Sequence, residues 1–590
     1  MYLYIASFVK RGEYQMKTKT IFILLILAIS VFSGCKEVIT PPNGRSVKPL
    51  SSTNLETSQE LKKFNSVQEI KDYIDDTSKG SGYYGGYMNG GMMVDFERSE
   101  MAMDSAVLGA PMTKSSVQSG GGASDYSETN VQVKGVDEAD FVKNDEKYIY
   151  VLSQEELIIV DAYPAEDAEI LSKTDIEGNP RNIFVNGDRL VVFSTVGDEV
   201  YLIPEFDFAP RPRYATRTYA YVFDISDREE PELINEFNIN GDYFEARMIG
   251  DYVYFIAKEG VYYYNNVIDL PVVREGDERL MVPDIFYFDN PETNFVFHTI
   301  ASFDINGDDI NAETFMMGYS NNLMVSMDNI YISYQKNLPW RYYEQDNEYR
   351  FYKVIVPLLD QETQDKIDDA KDSDLGTYEQ WQEISSILED MYNNMDEDDK
   401  EDLVIEIAEA VEEYNVQQEI ERSKTIIQKI GIDDGEIEYV AKGEVEGQLL
   451  NQFSMDEYDG NLRVATTTNV WTRSDRQQYN NVIVLDEDMD QIGELREIAP
   501  DERIYSTRFI GNRLYMVTFK RIDPFFVIDL SDAKNPSVLG ELKIPGFSDY
   551  LHPYDENHII GIGKETGENE WGGISTKGVK LALFDVSDVK

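Results

Sequence analysis

Two short turn signatures alternate along the chain from Thr129 to Lys590, and this alternation restricts the fold more than any other feature. The first is a polar hairpin ahead of an aromatic or aliphatic run: "FVKNDEKYIYVLS", "FVNGDRLVVFS", "MIGDYVYFIA", "VSMDNIYISY", "EYDGNLRVATT", "FIGNRLYMVTF" and "YDENHIIGIG". Gly, Asn and Asp tolerate the positive φ angles of tight hairpins, and the apolar run after each supplies a buried strand. The second is an apolar pair, an Asp and a turn, as in "YVFDISDREEPEL", "ASFDINGDDI", "FVIDLSDAKNPSVLGEL" and "LALFDVSDVK". Here the Asp ends a strand and polar residues send the chain back. The two signatures alternate about seven times, so each unit holds two hairpins and therefore four strands. Serial four-stranded units are the pattern of an all-β β-propeller. A β-sandwich also has many short strands, but not this regular alternation over several hundred residues. Seven repeats are readable, with an eighth if the chain is truncated.

One segment breaks the rhythm. From Leu358 to Lys424 the chain is acidic and helical in period, with Trp381, Ile384, Ile387, Leu388 and Met391 on one face. Leu403, Ile407, Ala410 and Val411 share a second face, and "MDEDDKEDL" between them reads as a helix start with acids favoured by the dipole. The expectation is a helical insertion, residues 358–424, between two strands of one blade. It is either a partner-binding or capping element, or decoration.

The N-terminal stretch concerns address rather than fold. From Met16, which reads as the true start, Lys17 and Lys19 precede an apolar run from Ile21 to Phe32 and then Ser33-Gly34-Cys35. A basic start, a short apolar stretch and small residues before a cut describe a secretory signal over residues 1–35. The run is short for a membrane span. The ending resembles the lipobox of prokaryotic lipoproteins, with Phe32 in place of the usual Leu, so Cys35 is the expected lipid attachment site. A plain secretory signal is the alternative. Residues 36–128 then read as a Pro-containing tether, a short helix around Asn65–Ile74 with Ser66 and Glu69 at capping-box spacing, and a Gly/Ser/Met-rich linker.

Charge and residue usage exclude several functions. With 110 acidic against 53 basic residues the net charge is -57, which repels nucleic-acid backbones. Only His298, His552 and His558 are available, with no HExxH, no second Cys, no G-x-S-x-G and no P-loop. Carboxylates remain. Asp304, Asn306 and Asp308 in "DINGDDIN" alternate like ligands of a calcium loop, but without its sixth-position Gly and closing Glu. Asp137, Glu138 and Asp140 precede the first blade's innermost strand, where they either hold Ca²⁺ or a basic ligand, or cap turn amides. No other cofactor is implied.

The stretch "TNVQVKGVDEADFVKNDEKYIYV", with the helix before it and the "FDISD" turns, resembles a family of secreted prokaryotic proteins whose C-terminal β-propeller is distantly related to WD repeats. Glu146 stands where that family usually has Gly. The resemblance implies a propeller over residues 129–590 and an extracellular address, and carries no activity. The leading expectation is a lipid-anchored binding or scaffolding module on the outer face of the membrane, for a protein, peptide or glycan. The alternative is a secreted carbohydrate- or peptide-processing hydrolase using channel-lining carboxylates. Val131 and Val133 of "TNVQV" are further expected to form an edge strand that ladders with Leu581–Asp585 and closes the ring.

Overall fold

The computed structural model describes residues 60–78, 131–202, 211–264, 267–290, 292–337, 346–471, 476–519, 523–568 and 574–587. The expected signal segment with Cys35, and most of the residues read as tether and linker, lie outside them. Two compact units divide the chain: one comprises Thr57–Asn337, Lys424–Thr467 and Tyr479–Lys590, the other includes Leu338–Ser423 and Thr468–Gln478.

The first unit is built of sheets, antiparallel but for one strand pair in the third, that follow one another along the chain. The first sheet runs through Val142–Asn144, Tyr148–Ser153, Glu156–Asp161 and Glu169–Asp175 in order. The second begins at Asn179–Asn186, the third at Asp242–Ile249, the fourth at Ser320–Val325, the fifth at Met455–Tyr458, the sixth at Arg503–Ile510 and the seventh at Phe547–Asp555. The fourth, fifth and sixth also have four strands, the second and third gain extra edge strands, and the seventh has three among the described residues.

Both turn signatures sit at the same end of a sheet, and their chemistry explains the repeat. The strand-ending Asp folds its carboxylate back onto the amide two residues on: Asp224 onto Ser226 at 2.8 Å, Asp529 onto Ser531 at 2.9 Å, Asp585 onto Ser587 at 3.0 Å. These bonds favour the ionised form, and those from Ser226 draw the Asp224 carboxyl down to about 2. The apolar residue after each Asp is buried, and its amide donates to the carbonyl in the preceding hairpin turn: Ile225 to Asp188 at 2.9 Å, Leu530 to Asn512 at 2.8 Å, Val586 to Asn557 at 2.7 Å. Each signature thus locks the other.

Neighbouring sheets bury apolar faces against each other. Phe193 and Phe237 of the second sheet meet Phe255 and Phe303 of the third. Tyr254 and Ile300 of the third meet Ile330 and Ile426 of the fourth, and Tyr515 and Val527 of the sixth meet Leu551 and Phe584 of the seventh.

The expected closing strand is not formed. Asn130 lies outside the described residues, Gln132 and Val133 make a bend, and the strand that follows, Val136–Glu138, pairs with Asp242–Ile249 of the third sheet. Gly135, at φ +91°, makes that turn, and a Cβ there would meet Met327 Sδ at 2.9 Å. The last strand, Ile574–Asp585, ladders with His558–Glu568, and Val579, Leu581 and Leu583 on one of its faces are 84%, 66% and 63% exposed. Alternation of apolar residues identified "TNVQV" as a strand, but the glycine turn moved the pairing downstream.

The segment before the linker also joins the third sheet. Leu61–Lys63 pairs with Asp284–Phe288, which runs parallel to Ile310–Met317. Helix Val67–Ser78 starts with Ser66 Oγ accepting from Glu69 N at 3.2 Å and Glu69 Oε2 accepting from Asn65 N at 2.8 Å. Its Ile70 packs with Phe64, Tyr287 and Phe297.

In the second unit, helices Gln361–Lys371, Thr377–Asn394 and Glu397–Arg422 enclose a core of Phe351, Ile355, Ile367, Ile384, Leu388 and Leu403. Asp360 and Asp396 cap the first and third of these helices. Helical turns begin at Asp346, earlier than Leu358, because the aromatic and β-branched run "FYKVIV" has little helical period of its own. The cluster contains only residues of this unit, and Gln335 and Thr425 on either side of the segment are direct strand partners. Replacing residues 338–423 with a two-residue Gly-containing turn should therefore leave the sheet unit folded. One cooperative unfolding transition by circular dichroism is expected, and its loss would show that the helices complete the sheet core.

Candidate ligand site on the first strands

The first strands of the sheets approach one another. Asp140 bridges Ile183 of the second sheet. Ser506 Oγ donates to Ser548 O at 2.6 Å, joining the sixth sheet to the seventh. Thr507 Oγ1 donates to Phe453 O at 2.9 Å, joining the sixth to the turn that enters the fifth.

One register position on these strands repeats. Lys143 pairs with Tyr150, Arg247 with Tyr254, Asp456 with Arg463, Arg508 with Tyr515 and His552 with Ile560. Each partner follows its hairpin at the same offset. Phe184 and Met324 hold this position in the second and fourth sheets. Ionisable side chains at five sites of a packed layer require partners, because a buried charge left alone is strongly destabilising.

Most have them. Lys143 Nζ reaches Asp137 Oδ1 and Glu138 O, each at 2.7 Å. Arg247, 4% exposed, donates to Glu245 Oε2 at 2.9 Å and to Gln452 Oε1 at 3.2 Å, so the third sheet meets the turn that enters the fifth. Gln132 donates from Nε2 to Met455 O at 2.9 Å and from its backbone to Glu138 Oε1 at 2.9 Å. Burial raises the Asp456 carboxyl, opposed by Arg463, whose Nε donates to it at 3.0 Å. His552 is held below its usual value by burial and by Arg508, and its Nδ1 lies 3.2 Å from Tyr550 Oη.

Arg508 differs. It is 7% exposed, its guanidinium lies over the Phe453 ring at 5.1 Å, and no hydrogen bond or ion pair holds it among the described residues. Burial presses its charge down, and Tyr550, Glu138 and Asp456 oppose that only through space.

A family profile described as beta propeller domain matches residues 126–590. The chain belongs to the beta-propeller domain family. The propeller chain is 29% identical to an uncharacterised protein of Methanocaldococcus jannaschii over 592 residues, covering 98% of this chain and 82% of that protein. It is 31% identical to an uncharacterised protein of Archaeoglobus fulgidus over 541 residues, covering 90% of this chain and 79% of the other.

Within the propeller the acids singled out by sequence go separate ways. Asp137 binds Lys143, Glu138 accepts from Gln132, and Asp140 Oδ1 accepts from Phe141 N at 2.7 Å. Asp304 accepts from Asn306 N at 2.8 Å as a strand-ending Asp, and Gly307 O beside Asp308 accepts from Asn235 Nδ2 at 2.8 Å. Among the described residues, no three His, Cys, Asp or Glu side chains gather at metal-ligand spacing. Arg247 and Arg508 were missed, although their signal is in the sequence. "EARMIGDYVYF" and "STRFIGNRLYM" place an Arg three residues before the hairpin Gly, followed by two apolar residues.

Proposed function

We propose that this propeller is a binding or scaffolding module on the outer face of the cell membrane, anchored by lipid at Cys35, for a protein, peptide or glycan ligand. The observation that carries the reading is the layer of ionisable side chains at one register position, Arg247 and Arg508 among them, with Glu138 and Gln452 brought beside Arg247 from other elements. Converging polar groups on rigid strands are what a specific site needs. A pull-down from native cell surfaces, with and without calcium, tests it. A ligand captured by the natural chain and lost on Gln452→Ala is expected; capture unaffected by Gln452→Ala and Glu138→Gln together would refute the site.

The address has its own test. Cys35→Ser should release the protein from membranes into the medium, as fractionation and immunoblotting would report. Retention of that variant on membranes would make the apolar run from Ile21 to Phe32 the anchor instead. Among the described residues no helix is long and apolar enough to cross a membrane.

The hydrolase reading has one observation in its favour. Arg213 is shared by Glu259 and Asp269, and burial raises Glu259 to about 7, in the range of a general acid. Arg213 already engages both carboxylates, so binding is the better supported reading.

A further inference from the structure

We infer that Arg508 is the anion receptor of this site and that the ligand presents it with a carboxylate. The inference rests on the binding reading and adds the chemistry of the ligand. Three observations meet at this residue. It is one of a layer of equivalent positions in which Lys143, Arg247 and Asp456 each have a bonded counter-charge, whereas Arg508 has none among the described residues. At 7% exposure it is nearly enclosed, so water solvates its charge only in part. Its guanidinium carbon lies over the Phe453 ring, 5.1 Å from the ring centre, and that ring lies 6.1 Å from Tyr550 in an edge-on pair.

A planar guanidinium fork beside an aromatic ring suits a planar two-oxygen anion, and a carboxylate matches it with two parallel N–H···O bonds. The aromatic flank suits the apolar face of a sugar ring or a peptide side chain. Acidic sugars and peptide C-termini share this chemistry, and the probes below separate them. The strongly negative chain as a whole repels polyanions, so the ligand carries its charge singly at this point.

The test uses the full chain with galacturonate and N-acetyl-alanyl-alanine as separate probes in isothermal titration and thermal unfolding. Binding of one probe, weakened roughly tenfold or more by Arg508→Gln, is expected, and the probe that binds identifies the source. Arg508→Lys keeps the charge without the fork and should weaken binding while leaving the fold intact. Without ligand, Arg508→Gln should unfold at or above the natural chain's midpoint, because it removes an uncompensated buried charge. Failure of both probes to bind, equal affinity in Arg508→Gln, or a fall of its midpoint by several degrees would overturn the inference. If cell-surface capture is lost on Gln452→Ala but retained on Arg508→Gln, the binding reading stands and the anion inference alone fails.

Discussion

Phe255→Ala is expected to destabilise the sheet unit by about 3–5 kcal/mol, the range for removing a buried aromatic ring. Phe255 is fully buried on the second strand of the third sheet, with ring centroids 5.6 Å from Phe193 of the second sheet and 6.0 Å from Phe303 on its own. Phe303 in turn packs on Phe237 at 5.1 Å. Two hydrogen-bonded sheets hold these rings from either side, so the backbone cannot close over the space left. Both the transfer term and the cavity term therefore count in full. Urea unfolding followed by circular dichroism should show a lower midpoint with the slope unchanged. Leu581→Ala is the internal control: at 66% exposure it should change stability by no more than about 0.5 kcal/mol. A loss below about 1 kcal/mol for Phe255→Ala would mean that the two sheets move together to fill the gap.

Local chemistry was legible in the sequence, and long-range pairing was not. The hairpin signatures announce their turns because Asn186-Gly187-Asp188 or Ile249-Gly250-Asp251 is a complete local instruction for backbone geometry. The "FDISD" signature is also self-contained, since Asp224 bonds an amide two residues away. Helix Val67–Ser78 was readable from Ser66 and Glu69, but its destination was not. Tyr73 Oη donates to Phe288 O at 3.0 Å and Asn290 O at 2.9 Å, more than two hundred residues on, and no periodicity encodes that. The strand Leu61–Lys63 was read as tether because three residues are too few to show alternation. The candidate site shows the same division. Clustered acids drew attention by composition, yet Asp137, Glu138 and Asp140 each satisfy a nearby donor. Arg247 and Arg508 sit in strands of mixed polarity, and only alignment of one repeat on another reveals that they share a position. In a repeat fold the informative residue is the one that departs from its equivalents.

His298→Gln should remove about one proton's worth of acid sensitivity from the fold, visible as a change of stability with pH below about 6.5. His298 lies on the third strand of the third sheet with no exposure, Nδ1 3.2 Å from Val296 O and Nε2 2.8 Å from Ser320 Oγ. With Nδ1–H donating to the carbonyl, Nε2 accepts from the serine hydroxyl, and a second proton on the ring would break that bond. Lys258 is its direct strand partner, and the Lys258 ammonium donates to Ser320 O at 3.0 Å. Burial first and Lys258 second hold His298 down at about 3. The sign follows from this depression. Between about 6.5 and 3 the unfolded chain binds a proton that the native ring refuses, so stability falls as pH falls, by about 1.4 kcal/mol per pH unit. Buried acids, Glu236, Glu292, Asp456 and Asp549 among them, act in the opposite sense. Burial raises Glu259 and Glu313 to about 7, so the native state holds their protons between about 4.5 and 7 and stability falls as pH rises through that window. The natural chain adds these opposed slopes, so the difference between variant and natural chain isolates the part owed to His298. His298→Gln keeps a donor and an acceptor for Val296 and Ser320 and leaves these acids alone. Relative to the natural chain its stability should gain about 1.4 kcal/mol for each pH unit lowered from 6.5 toward 4.5, read as urea midpoints across that range. Parallel pH profiles for the variant and the natural chain would show that His298 is not the group that refuses the proton.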